Sequence, residues 1–167
     1  MARIALDVPL VQQGTNPDCW QICALMVMAF KGTQSLPKSS AQVPGGFNPR
    51  VMSGTWNMEY RDLRHLGFSP GTNTRADEDW VYSLIHTYGP LVLLHYAKGF
   101  PYHYGTVVNL SATATHAIVL TGLDTDKHKT CFNNPWGTRN VWVDSEVVAA
   151  AIRRVSSEGN LPIWYMA

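Results

Sequence analysis

The chain has 167 residues, 46% of them hydrophobic and six of them tryptophan, enough for one compact domain with a real core. A formal net charge of +1 excludes the electrostatic footprint of a nucleic-acid binder or of a protein drawn to an anionic membrane. No apolar stretch approaches the ~20 residues of a membrane span, and three cysteines are too few, and odd in number, for a disulfide framework.

Residues 1–16 read as an extended lead closed by the turn Gly14-Thr15-Asn16-Pro17. Met1 to Leu10 holds one basic residue, no apolar stretch and no small-residue cleavage site, so no Sec signal is expected. The start at Ala2-Arg3-Ile4 also suits a catalytic domain cut from a larger polypeptide. Asp18 is the expected N-cap of a helix that runs to about Phe30 and stops at Lys31-Gly32. That helix is apolar on nearly every face and is expected to be buried. Residues 32–56 are rich in Gly, Pro and Ser and read as a long loop, of the kind that lines a functional cleft. Short helices are expected from about Asn57 to Leu66 and from about Arg75 to Tyr88, the second starting after Thr74 and ending at Gly89-Pro90.

Beyond Pro90 the texture changes to short β-rich runs: Leu91–Tyr96, Tyr104–Leu110, His116–Leu123, Lys129–Asn133 and Asn140–Val143. Asp144–Val155 reads as a helix and Pro162–Met166 as a closing strand. Helices first and strands second predict an α+β fold. The expected architecture is a buried N-terminal central helix packed on a C-terminal antiparallel sheet, one domain over 1–167. Its helical half spans about 1–89, its sheet half about 90–167, and the cleft lies between them.

A thiol attacks as its thiolate, which a helix N-terminus and a nearby histidine both favour. Cys19, at the expected first turn, is the candidate nucleophile; Cys23 and Cys131 read as core. Gln13, six residues upstream, is the candidate oxyanion donor together with the backbone N–H of Cys19, with Gln12 as its competitor in register. Among six histidines, His65 and His86 fall late in helices, His128 lies in a turn and His95 inside a strand. His116 enters an apolar strand after small residues and is the candidate base, with His103 the alternative. The base needs a group that fixes its tautomer. Asn134 is placed for this, Asn133 less so, and Trp136 can shield the hydrogen bond from water. No Cys-x-x-Cys, no His-x-x-x-His and no Gly-x-x-x-x-Gly-Lys supports a metal or nucleotide site, so no cofactor is expected.

The opening Gln13…Cys19-Trp20, the run His116-Ala117-Ile118-Val119-Leu120-Thr121-Gly122 and the turn Asn134-Pro135-Trp136-Gly137 stand at both ends of the chain. In that order they resemble the papain-like cysteine peptidase clan, with small bacterial AvrRpt2-type effector proteases and C39-like peptidases nearest in texture. Those two families usually carry Asp as the third member, so Asn134 leans towards the papain arrangement. The resemblance implies a papain-like fold and a thiol endopeptidase with the triad Cys19, His116 and Asn134, Gln13 in the oxyanion hole, and Trp20 and Trp136 in cleft-lining or shielding roles. The same machinery also serves a peptidoglycan amidase, a glutamine deamidase or an acyltransferase, and a non-catalytic binding module is the remaining reading. By analogy, such small enzymes are interbacterial or host-targeted effector toxins, cytoplasmic or delivered into a target cell and countered by a cognate immunity protein. The expected partners are a protein or peptide substrate and such an inhibitor; a monomer is the default. Trp56, Tyr60, Tyr102 and Tyr104 are aromatic candidates for contacting a partner or substrate, or for the core.

Overall fold

A computed structural model of the chain describes residues 2–12, 19–33, 52–53, 56–72, 75–102 and 110–167. Helix α1 (Cys19–Phe30) opens this part of the chain after strand β1 (Arg3–Ala5). Strand β2 (Met52–Ser53), helix α2 (Asn57–His65), strand β3 (Phe68–Pro70) and helix α3 (Glu78–Tyr88) follow. The second half carries β4 (Leu91–Tyr96), β5 (Ala114–Asp124), β6 (Lys129–Asn134), β7 (Thr138–Asp144), α4 (Ser145–Ser157) and β8 (Ile163–Met166). The strands form one eight-stranded sheet in the order β3-β8-β4-β5-β6-β7, with β1 and β2 also paired to β5. Every pairing is antiparallel. This is the expected α+β architecture, with helices on both faces of the sheet.

The sheet is covered twice, which explains why β4 and β5 read as continuous apolar runs rather than as an alternation. Successive side chains still point to opposite faces. Val92, Leu94, Ala117 and Val119 pack with Ile22, Cys23, Met26 and Val27 of α1 and Leu63 of α2. Leu91, Leu93, Ile118 and Leu120 pack with Val81 and Ile85 of α3 and Val148 and Ile152 of α4. β5 spans Ala114–Asp124, further than any neighbour, so its ends carry the extra strands: Met52 pairs with Thr115, and Arg3 with Asp124. At Gly122 a Cβ would lie 2.4 Å from the carbonyl oxygen of Ile4. The glycine therefore lets β1 approach at the bulge between Leu120 and Gly122. That gives the last residue of the His116–Gly122 run a structural cause.

Several boundaries differ from the sequence expectation. Three short strands, β1 to β3, come from the half expected to be helical, and each is fixed by pairing to a strand far away in sequence. Helix α3 starts at Glu78 rather than near Arg75: Asp77 is its cap, its carboxylate accepting from the Trp80 N–H at 2.8 Å. Gly89, at φ 85°, closes that helix by donating to Ile85. Trp56 and Tyr60 belong to the core, not to a partner surface. Trp56 packs on Tyr96 at 5.2 Å between ring centroids, and the Tyr60 hydroxyl accepts from the Leu161 N–H at 2.8 Å. Asp18, Thr74, Tyr104 and most of the strand expected at Tyr104–Leu110 lie outside the described residues. Among the described residues no helix is long and apolar enough to cross a membrane, and no group of three or more His, Cys, Asp or Glu is placed to hold a metal ion.

Candidate active site

The site is built where the ladder of β4 and β5 stops being apolar. Leu91 to Leu94 pair with Leu120 to Ala117, and the next rung is His95 opposite His116. His116 is fully buried. β6, on the other side of β5, ends at Asn134, and the turn Pro135–Gly137 leads into β7. Two bonds tie this turn down: the Gly137 N–H donates to the Asn134 carbonyl at 2.9 Å, and the Trp136 N–H to Asn134 Oδ1 at 3.2 Å.

The second bond decides how the amide faces. Because Oδ1 accepts from a backbone N–H, it is the oxygen that meets His116, at 2.8 Å from Nε2. His116 must then carry its proton on Nε2, which leaves Nδ1 with a lone pair. Nδ1 is buried and has no hydrogen-bond partner among the described residues, and the same holds for Asn134 Nδ2. Trp136, 1% exposed, stacks on the imidazole with ring centroids 4.0 Å apart and planes 21° apart. The indole thus covers the His116–Asn134 hydrogen bond and keeps it in a low dielectric. Burial holds the His116 pKa well below the usual histidine value; His95 lowers it further, and the bond to Asn134 pulls it back up. The ring is therefore neutral at neutral pH, the form that can take a proton.

Cys19 is the first residue of α1 and is fully buried. It sits where the helix leaves N–H groups without intrahelical partners and where the macrodipole favours negative charge. Helix α1 packs against β4 and β5 through Ala117, Val92 and Leu94. Cys23, one turn on, is fully buried, and burial first and Cys19 second push its pKa up, so it is a poor nucleophile. Burial likewise raises the pKa of Cys131.

The other candidates separate cleanly. Asn133 is committed to structure: its Nδ2 donates to the Val8 carbonyl at 3.0 Å, and its Oδ1 accepts from the Asn140 N–H at 3.0 Å. His65, His86 and His128 are exposed. Trp20 is half-buried against the apolar cluster around α1, and Gln12 is half-buried near the start of the chain. Gln13 and His103 lie outside the described residues. Two more residues touch this site: His95, which the sequence reading placed only inside a strand, and Tyr102, which it named only as an aromatic candidate for a partner, a substrate or the core. His95 had a signal: Leu-Val-Leu-Leu-His and His-Ala-Ile-Val-Leu mirror each other, and antiparallel pairing brings the two histidines to one rung.

A shielded, amide-held histidine on the sheet and a cysteine at the start of a buried helix packed on that sheet place the chain among papain-like folds. Comparison with known proteins agrees. Residues 2–145 match peptidase family C70, described as the papain-like cysteine protease AvrRpt2, and the chain belongs to that family. It is a cysteine peptidase. Among solved structures it is similar to a Bacillus anthracis protein described as a C39-like peptidase. The TM-score is 0.62 over 100% of this chain and 98% of that one, at 17% identity, a likeness of fold. No curated protein matches the chain significantly.

Proposed function

We propose that the protein is a thiol endopeptidase that cleaves protein substrates with Cys19 as nucleophile, His116 as general base and acid, and Asn134 as the group that orients His116. The observation that carries this reading is the state of His116: Nε2 is pinned to Asn134 at 2.8 Å, while Nδ1 is buried and has no hydrogen-bond partner among the described residues. In the reaction, Nδ1 takes the thiol proton as Cys19 Sγ attacks the peptide carbonyl carbon. The oxyanion forms at the N-terminus of α1, where the backbone N–H of Cys19 donates to it. Gln13 is assigned the second donor from its spacing in the sequence alone. His116 then passes the proton to the departing amine, and the thioester is hydrolysed by water that His116 activates in turn. Cys19, His116 and Asn134 are all fully buried.

The finer role we infer is that of an effector or toxin delivered into another cell, with a protein target there and a cognate inhibitor that covers the cleft. The match to the AvrRpt2 family supports this role.

The test is to incubate wild type and Cys19→Ala with a bacterial and a eukaryotic lysate and to map new protein N-termini by mass spectrometry. New termini in the wild-type sample alone are the expected result, and they name the substrate. A mass gain of about one unit on glutamine without chain cleavage would replace the endopeptidase by a deamidase that uses the same thiol. Identical termini from both proteins, with Cys19 alkylated no faster than Cys23, would overturn the catalytic reading.

A further inference from the structure

His95 is a buried titratable residue that the proposed mechanism does not use. It is fully buried, on the rung directly opposite His116, with the two rings 5.8 Å apart and nearly edge-on at 66°. The preceding rungs are filled by Leu, Val, Ile and Ala, so an apolar side chain packs well at this depth. An imidazole there costs desolvation that a hydrocarbon does not. Its partners explain what it holds. Nδ1 faces the Leu93 carbonyl at 3.5 Å, a weak contact that places the proton on Nδ1; Nε2 then accepts from the hydroxyl of Tyr102.

Tyr102 touches several parts of the site. Its ring meets the edge of His116 at 5.7 Å and 80°, lies 4.5 Å from Trp136, and packs on Phe100 at 5.0 Å. The N–H of Tyr102 donates to the Phe100 carbonyl at 2.9 Å, and that of Phe100 to Ala97 at 3.2 Å, so a tight turn at the end of β4 carries the ring over the site. Burial raises the Tyr102 pKa, and Cys19 and then Cys23 raise it further. Around the imidazole of His116, then, Trp136 covers a face, Asn134 holds Nε2, and Tyr102 and His95 stand at the edges. A base works only while its lone pair stays aligned with the proton it takes.

We propose that His95 and Tyr102 are a positioning pair for His116: the Tyr102 ring walls the imidazole edge that Trp136 leaves open, and the His95–Tyr102 hydrogen bond locks that ring in place. The proposal rests on the assignment of His116 as the base. Neither residue touches the reacting atoms; both act through the orientation of His116.

The test measures the rate at which iodoacetamide alkylates Cys19, read by peptide mass spectrometry as a function of pH, with Cys23 and Cys131 as internal controls. It needs no substrate. In wild type, Cys19 reacts faster than the other two, and His116→Ala removes the excess. Tyr102→Phe keeps the ring and loses only the hydroxyl; it is expected to lower the His116-dependent rate roughly three- to tenfold, the scale of one hydrogen bond. His95→Leu has the same effect. His95→Gln, whose amide oxygen can accept from Tyr102, keeps more of the rate than His95→Leu. The double variant His95→Leu/Tyr102→Phe is no slower than the slower single, because one bond is lost in each case. If both single variants keep the wild-type profile while His116→Ala abolishes it, the positioning pair is overturned and the base assignment stands. If His116→Ala leaves Cys19 unchanged, both are overturned. If Cys23 and Cys131 become reactive in step with the loss at Cys19, the pair merely supports the core, and the proposal is again overturned.

Discussion

The ladder between β4 and β5 has two ends of opposite character. At one end Leu91, Val92, Leu93 and Leu94 meet Leu120, Val119, Ile118 and Ala117, all fully buried and all hydrocarbon. Towards the other end, one rung further, His95 meets His116, equally buried and polar. The same backbone geometry serves both ends. The first gains from burial, at roughly 25 cal/mol for each Å2 of apolar surface removed from water. The second spends part of that gain: Nδ1 of His116 and Nδ2 of Asn134 are buried without hydrogen-bond partners among the described residues, and each such group costs about 1–3 kcal/mol. A fold tolerates such a cluster where the unpaired atom has work to do, and in the proposed function that work is the lone pair of a base.

The largest expected effect separates the ends by function. Cys19→Ala and His116→Ala should each lower peptide-bond cleavage by about 10,000-fold or more, measured as the yield of new termini over time. Next, Leu93→Ala should cost about 2–5 kcal/mol in denaturant unfolding. At denaturant concentrations where the variant is folded, Cys19 alkylation should stay as fast as in wild type. A change in that rate would mean that the apolar end also tunes the site.

The third prediction concerns pH. Burial lowers the His95 pKa to about 4, and that of His116 falls as well. Both rings bind protons more readily in the unfolded chain, so the native state is at full strength above the ordinary histidine value of about 6.5 and weakens as pH falls towards the native values. For His95 alone the loss between pH 6.5 and about 4 is about 3 kcal/mol. Thermal unfolding across that range should show it, and His95→Leu should flatten the curve. A smaller effect is expected from Asn134→Asp. A carboxylate beside Nε2 favours the protonated ring, so the acid limb of the cleavage profile should move up by about 1 pH unit. The smallest lies on the exposed face of α4, where Arg153 and Glu146 form an ion pair between half-exposed and exposed side chains. Glu146→Gln should change stability by less than about 1 kcal/mol and leave alkylation of Cys19 untouched.

The parts of this fold that are legible in the sequence share a physical reason: each carries its own signal over several residues. Helix α1 shows as an apolar run closed by Lys31-Gly32, and β4 to β6 as apolar and β-branched runs between breakers. The short strands β1 to β3 carry no such signal, because a partner distant in sequence decides their pairing. The start of α3 was misplaced because Thr74 and Asp77 are both capping residues, and only the bond to Trp80 chooses between them. At the site, Asn134 and Trp136 were readable because the turn that holds them is local. The link from His95 to Tyr102 crosses the end of β4 and depends on where a loop places one ring, which no spacing records.

The central claim is that Asn134 holds His116 as a neutral ring with its proton on Nε2 and a lone pair on Nδ1. It is tested most directly by 15N NMR of the histidine side chains across a pH titration, with the His116 signals assigned by their loss in His116→Ala. The account predicts the Nε2–H tautomer at neutral pH, a ring that stays neutral below pH 6.5, and loss of the single tautomer in Asn134→Ala. A ring protonated on Nδ1, or one that titrates like a solvent-exposed histidine, would contradict it.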